Sequence, residues 1–162
     1  MQAEQFRNRA GGSSLFRVWE ARGAPRAALL LVHGLGEHSG RYHHVGSYLA
    51  ERGVTVFAYD HQGHGRSEGR RGWVEDFAHL LDDLETVHRL VLERAGALPL
   101  VLLGHSMGGL IVTAYMLERP LKPDALVLSG PAIVPILDPN DRTIDPTRLS
   151  KDPAVWEAYL GD

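Results

Sequence analysis

The stretch that decides the fold runs over residues 100–109 and reads Leu-Val-Leu-Leu-Gly-His-Ser-Met-Gly-Gly. Its apolar start has the character of a buried strand, and a helical pattern begins at Met107. A strand that turns so sharply into a helix crowds its own backbone, so the positions two residues before and after Ser106 must lack side chains. Gly104 and Gly108 occupy those positions, and Gly109 follows. The pattern predicts a nucleophile elbow that holds the Ser106 hydroxyl out at the end of a sheet in a strained backbone conformation.

Short apolar runs alternate with helical patterns along the rest of the chain, which is typical of a parallel sheet covered by helices on both faces. The fold class is therefore predicted as α/β. The predicted strands cover residues 27–32, 54–59, 98–103 and 125–128, with a weaker strand at 14–19 that could be antiparallel. Helices are predicted at 42–49 with Gly53 after it, from Phe77 to just before Gly96, at 107–119 where Pro120 stops the helix, and at 153–160 behind an Asp152 N-cap.

Composition excludes several other classes of protein. The chain has 162 residues, 44% hydrophobic and 23% charged, which fits one soluble globular domain. A net charge of −3 gives no electrostatic footprint for nucleic acid, and the absence of cysteine excludes disulfides and thiolate metal sites. Residues 1–14 lack the apolar core of a signal peptide, and the longest apolar run, residues 27–32, is too short to span a membrane. No cofactor, metal or nucleic-acid partner is expected.

A second loop, residues 31–38, follows the first predicted parallel strand and reads Leu-Val-His-Gly-Leu-Gly-Glu-His. Acyl transfer to a serine needs two converging N–H donors for the oxyanion that develops on the substrate. The N–H of Leu35 in this loop and the N–H of Met107 after the elbow can supply them. We therefore predict that Leu35 and Met107 form an oxyanion hole, and that His33 braces the loop rather than titrating in catalysis.

The third loop, residues 59–69, follows the predicted strand at 54–59 and alternates polar side chains with three glycines. His61 and His64 could be metal ligands, but a third ligand would have to be invented. We interpret the segment as a loop held by hydrogen bonds of Asp60, His64 and Arg66. Other histidines give no functional signal: the pair at positions 43 and 44 is expected to be solvated on a helix surface, and those at 79 and 88 lie on the long helix.

In order and spacing, residues 32–42, 60–69 and 104–109 resemble the monoacylglycerol lipases and lysophospholipase-like serine hydrolases of the α/β-hydrolase fold. The match runs over nearly the whole chain. This resemblance implies that Ser106 is the nucleophile of an ester hydrolase for monoacylglycerols or similar single-chain lipid esters. It implies that Leu35 and Met107 form the oxyanion hole and that Glu37 and Arg41 lie near the polar head of the glyceride. A cytoplasmic protein is expected, with transient membrane contact through a cap.

The resemblance also implies a division of the chain. Residues 1–133 correspond to the N-terminal part of the hydrolase core, and residues 134–162 to the start or a remnant of the cap, of which residues 148–153 resemble the end. The cap is thin, because Ile144 is the one large apolar residue between positions 138 and 148.

The expected general base is missing from the sequence. In this fold the triad follows the order serine, acid, histidine. All nine histidines precede Ser106, and no later aspartate follows another predicted core strand. Using His38 or His64 instead would break the chain order. We expect the acid and histidine on the remainder of the hydrolase fold, either a separate segment or a part of the same protein outside these 162 residues. We also expect little esterase turnover from the chain alone. The alternative is a non-catalytic α/β-hydrolase-like binding module or an inactive fragment.

Overall fold

A six-stranded sheet brings the three loops to one edge of the molecule. The computed structural model describes residues 1–133 and 150–161. Its strands are β1 (Gln2–Arg7), β2 (Ser13–Trp19), β3 (Ala27–Val32), β4 (Val54–Tyr59), β5 (Leu100–His105) and β6 (Ala125–Ser129). They are ordered β1-β2-β4-β3-β5-β6. Strands β4, β3, β5 and β6 are parallel, and β2 joins β4 antiparallel. The carboxyl ends of the parallel strands therefore meet at one edge, where the loops of the predicted site lie.

The predicted helices are confirmed with small shifts at their ends. They are α1 (His43–Ala50), α2 (Phe77–Ala95), α3 (Met107–Glu118) and α4 (Pro153–Gly161), and a 3-10 helix (Ser39–Tyr42) precedes α1. Gly96 ends α2 at a positive φ of 60°. The Asp152 carboxylate accepts a hydrogen bond from the Ala154 N–H at 3.0 Å, as an N-cap does.

Two strands differ from prediction. Strand β5 begins two residues later than predicted, because the Leu98 N–H still donates to the Ala95 carbonyl in the turn that ends α2. Strand β1 has no predicted counterpart. It is an antiparallel edge strand beside β2 with mostly exposed side chains, so its sequence shows no apolar alternation. Its one half-buried residue, Phe6, packs edge-on against Tyr59 at 5.9 Å between ring centroids.

The core has two parts, one on each face of the sheet, because alternate residues of a strand point to opposite faces. On one face, Leu30 packs with apolar residues of α2 and α3. On the other face, Leu29 and Leu31 pack with Trp19 and α1. This confirms the mostly parallel sheet with helices on both faces. Strand β6 differs, because all five of its residues are exposed in the described part of the chain.

Two further observations concern the predicted cap and the membrane. Residues 134–149 and 162, most of the predicted cap segment, lie outside the described residues. Among the helices of residues 1–133 and 150–161, none combines the length and the apolar character that a bilayer crossing requires.

A buried carboxylate, Asp60, fixes the loop after β4. Its Oδ1 accepts hydrogen bonds from the Arg17 guanidinium at 2.9 Å, from the Ser39 N–H at 2.9 Å and from the Ser39 hydroxyl. Its Oδ2 accepts from the Arg66 N–H at 2.9 Å. One side chain thus joins β2, the 3-10 helix and the glycine-rich loop. The predicted pinning by Asp60 is confirmed, and Arg66 takes part through its backbone.

Removing this carboxylate should destabilise the protein strongly. Asp60→Ala leaves the buried Arg17 guanidinium without its counter-charge, and such a loss typically costs about 3–5 kcal/mol. We expect the free energy of unfolding, measured by urea denaturation, to fall by about that amount. The control is Glu51→Ala, which breaks an exposed ion pair with Arg22 and should cost under about 1 kcal/mol. Equal effects of the two variants would contradict the role given to Asp60.

Candidate active site

The turn between β5 and α3 has the backbone geometry of a nucleophile elbow. Ser106 has φ 52° and ψ −118°, and it is the one non-glycine residue with a positive φ in the described part of the chain. This conformation costs a residue with a side chain on the order of 1–3 kcal/mol. Neighbouring backbone holds it in place: the Ser106 N–H donates to the Ser129 carbonyl at 3.0 Å, and the Ser106 carbonyl accepts from the Ala132 N–H at 3.0 Å. The predicted strain at the serine is therefore confirmed.

The glycines around Ser106 are required by close backbone contact. A Cβ on Gly104 would lie 2.5 Å from the Gly108 carbonyl oxygen. A Cβ on Gly108 would lie 2.1 Å from the Val32 carbonyl oxygen and 2.6 Å from that of His33. Helix α3 therefore begins directly against the end of β3, which brings the loop after β3 beside the serine.

The two predicted oxyanion donors are next in the chain to residues of the elbow contact: Met107 follows Ser106, and Leu35 follows Gly34. The loop residue Gly34 touches the elbow, since a Cβ on it would be 3.1 Å from the Ser106 Cβ. Leu35 comes next in that loop, and Met107 is the first residue of α3, where helix N–H groups lack carbonyl partners. No described residue accepts a hydrogen bond from the N–H of Leu35 or Met107. Both donors are thus available to a substrate, and their role as an oxyanion hole stays a prediction.

Three buried histidines form a layer beneath the loop that follows β3. His33 donates from Nδ1–H to the Gly34 carbonyl at 2.8 Å, and its Nε2 accepts from the His61 N–H at 3.0 Å. His61 donates from Nε2–H to the His33 carbonyl at 3.0 Å. The rings of His33 and His61 are 4.1 Å apart, and the His64 ring is 5.5 Å from that of His33. His33 therefore braces the loop, as predicted from the sequence.

Burial keeps His33 and His61 neutral. It lowers the pKa of His33 well below its usual value, and nearby His61 adds to the effect. The same cause, burial, lowers the pKa of His61 to about 3. Neutral rings can serve as both donor and acceptor, which the bonds between His33 and His61 require.

The two histidines considered as substitute bases make hydrogen bonds within their own loops. His38 accepts the Gly40 N–H on Nδ1 at 3.1 Å, and buried His64 donates from Nδ1–H to the Gln62 carbonyl at 3.0 Å. No hydrogen bond joins the Ser106 hydroxyl to a histidine of residues 1–133. Within the two described ranges, no group of three or more histidine, aspartate or glutamate side chains is arranged to hold a metal ion.

The histidine pair on α1 is exposed, but one of its members also makes a structural hydrogen bond. The His43 Nδ1 accepts a hydrogen bond from the indole Nε1–H of Trp19 at 3.0 Å, which ties α1 to β2. On the long helix, His88 is buried and its Nδ1 is 3.0 Å from the Tyr115 hydroxyl. Both contacts are structural, and neither has a counterpart in the sequence pattern.

Glu37 and Tyr42 form a contact that the sequence did not predict. The Glu37 Oε1 accepts a hydrogen bond from the Gly34 N–H at 2.5 Å and from the Tyr42 hydroxyl at 2.8 Å. Burial and the Glu37 carboxylate raise the pKa of the Tyr42 hydroxyl, so it stays a donor. A cavity of about 740 Å³ lies beside this loop and is lined by Leu35, Glu37, His64 and others.

Residues 23–150 match the model of the Hydrolase_4 family, which is described as serine aminopeptidase, S33. The chain belongs to the Hydrolase_4 family. The relatives of this chain agree with the resemblance that its motifs indicate. The chain is 36% identical over 175 residues to a monoacylglycerol lipase of Mycolicibacterium smegmatis, covering 97% of this chain and 62% of that protein. It is 43% identical over 127 residues to the Homo sapiens monoglyceride lipase, covering 77% of this chain and 42% of that protein.

Solved structures agree with the α/β-hydrolase fold of this Hydrolase_4 chain. The monoacylglycerol lipase of Paleococcus ferrophilus superposes with a TM-score of 0.76 at 30% identity, covering 98% of this chain and 63% of that one. The chain thus spans between about two fifths and just under two thirds of the length of these relatives. The α/β-hydrolase fold class is confirmed as a partial fold.

A side chain at position 108 should push the loop after β3, residues 33–38, away from the elbow. In Gly108→Ala the new methyl group meets backbone carbonyls of β3 that cannot rotate aside. We expect the free energy of unfolding to fall by at least about 2 kcal/mol, as overpacking does, despite the better helix propensity of alanine. Urea denaturation measures this change. Leu117→Ala on the same helix, where the side chain is 82% exposed, should change stability by under about 0.5 kcal/mol. A neutral Gly108→Ala would contradict the close contact with β3.

Burial of His61 should lower the free energy of unfolding in acid. Unfolded His61 takes up a proton below about pH 6.5, whereas folded His61 stays neutral down to about pH 3. Between these values the unfolded state binds more protons, so stability falls as the pH falls. His61→Gln keeps a side-chain N–H donor but cannot titrate. The stability of His61→Gln should therefore fall less steeply with falling pH. The difference between its slope and that of the wild type should be up to about 1.4 kcal/mol per pH unit.

Urea denaturation at several pH values between 6.5 and 4 measures these slopes. The control is Leu117→Ala, an exposed substitution on α3 that changes no titratable group, and its slope should equal that of the wild type. Parallel curves for the wild type and His61→Gln would show that His61 does not titrate differently on folding.

Proposed function

We propose that the protein carrying this chain is a serine ester hydrolase that acts on monoacylglycerols or similar single-chain lipid esters. The observation that carries the proposal is Ser106, held at a positive φ between two obligatory glycines and beside the Leu35 loop. Its relatives named monoacylglycerol and monoglyceride lipases support the substrate class. Ester hydrolysis by a serine requires this combination of an exposed nucleophile and nearby N–H donors.

The proposed reaction begins with attack of the Ser106 Oγ on the ester carbonyl carbon. The hydroxyl proton passes to a histidine, and negative charge develops on the carbonyl oxygen. The N–H groups of Leu35 and Met107 donate to that oxygen, and the positive end of the α3 dipole favours the charge. The alcohol, glycerol in a monoacylglycerol, leaves with a proton, and water then releases the fatty acid from Ser106.

The histidine and its acid partner belong, in this proposal, to residues outside the 162 of this chain. Support comes from the described histidines, none of which hydrogen-bonds Ser106, and from the share of the relatives' length that the chain covers. The alternative stated from the sequence is a non-catalytic binding module that keeps the elbow. The missing base favours that alternative for these residues by themselves.

A fluorophosphonate probe separates the two functions. In the full-length protein we expect covalent labelling of wild type, detected by intact mass, and hydrolysis of a monoacylglycerol to free fatty acid. Ser106→Ala should lose labelling completely and lower kcat by at least about 10⁴-fold, since it removes the nucleophile. The matched control Ser47→Ala, on α1, should behave as the wild type.

Each other outcome contradicts the proposal. A wild-type protein that is not labelled, or a Ser106→Ala variant labelled equally well, supports the binding module. Labelling with turnover of aminoacyl peptides but not of monoacylglycerols would keep the nucleophile and overturn the substrate class, in line with the family's description as aminopeptidase.

A further inference from the structure

The peptide that carries the Leu35 N–H is held from one side by His33. The Gly34 carbonyl belongs to the same planar peptide unit as the Leu35 N–H, and in a trans peptide the two groups point in opposite directions. The carbonyl accepts the His33 Nδ1–H at 2.8 Å from the buried side. This bond therefore turns the Leu35 N–H away from the core.

One hydrogen bond does not fix the position of that peptide, because Gly34 has no side chain and its backbone dihedrals are free. The preceding peptide is fixed separately by Glu37, whose Oε1 accepts the Gly34 N–H at 2.5 Å. With both neighbouring peptides held, the two dihedral angles of Gly34 are fixed and the Leu35 N–H cannot swing.

The Glu37 carboxylate is itself held in position. The same Oε1 accepts the Tyr42 hydroxyl at 2.8 Å, and Tyr42 ends the 3-10 helix that Ser39 anchors to the buried Asp60. Hydrogen bonds to an ionised carboxylate are shorter and stronger than those between neutral groups. The loop is thus connected through Glu37 and Tyr42 to the buried cluster around Asp60.

We propose that Glu37 is a positioning residue for the oxyanion hole: its Oε1 holds the Gly34 N–H and thereby keeps the Leu35 N–H aimed at the substrate carbonyl oxygen. This inference rests on the proposed ester hydrolase function. It differs from the role near the glyceride head that the resemblance implies for Glu37. A contact with the head group would affect only substrates that carry the head group, whereas positioning of the oxyanion donor affects every ester.

The test compares two substrates of the full-length protein: a monoacylglycerol and the methyl ester of the same fatty acid, which lacks the diol. Glu37→Ala should lower kcat about 10–100-fold on both, less than the loss of a whole oxyanion donor, with KM changed under about threefold. Glu37→Gln retains an acceptor oxygen and should recover kcat to within about fivefold of the wild type. The exposed control Glu51→Ala should leave both constants unchanged.

The remaining outcomes overturn the inference. A loss confined to the monoacylglycerol, or a rise in KM alone, assigns Glu37 to the head group, and a Glu37→Gln variant as impaired as Glu37→Ala rejects acceptance from Gly34. If a thermal melt shows that Glu37→Ala does not fold, Glu37→Gln and Tyr42→Phe replace it in the test. Tyr42→Phe should lower kcat about two- to fivefold on both substrates. A loss of kcat on only one of the two substrates rejects the positioning role. Wild type that neither reacts with fluorophosphonate nor hydrolyses either ester refutes the proposed function instead.

Discussion

The left-handed backbone of Ser106 is the constraint on which the rest of the site depends. It is unfavourable for a residue with a side chain, so the surrounding backbone must hold it, and the bonds to Ser129 and Ala132 do so. The same turn starts α3 against the end of β3, where only Gly108 fits under the carbonyls of Val32 and His33. The strained serine and the adjacent loop are therefore one packing arrangement.

A layer of buried polar groups beneath the loops gives this arrangement its rigidity. His33 and His61 each bond to the other's backbone, and Asp60 joins three separate segments through one carboxylate. Loops are ordinarily the mobile parts of a fold, yet these are tied to the core by side chains that are almost fully buried. The geometry of the N–H donors thus depends on residues that do not touch a substrate.

The sequence predicts those parts of the molecule whose physics is local. Apolar runs mark β3 and β4, and the spacing of Gly104, Ser106 and Gly108 marks the elbow, because each pattern is set within a few residues. Strand β1 escapes prediction since an edge strand needs no apolar alternation. The contacts of Glu37 with Gly34 and Tyr42, and of Asp60 with Arg17, also escape prediction, because a single hydrogen bond of a polar side chain leaves no periodic signal in the sequence.

Strand β6 is weakly covered in the described fold, and it is coupled directly to Ser106. Strand β6 exposes both faces, with Leu126, Val127 and Leu128 each about two fifths exposed, which is costly for apolar side chains. Its last residue, Ser129, accepts the Ser106 N–H. Any segment that covers or pairs with β6 therefore also restrains the residue that holds the elbow.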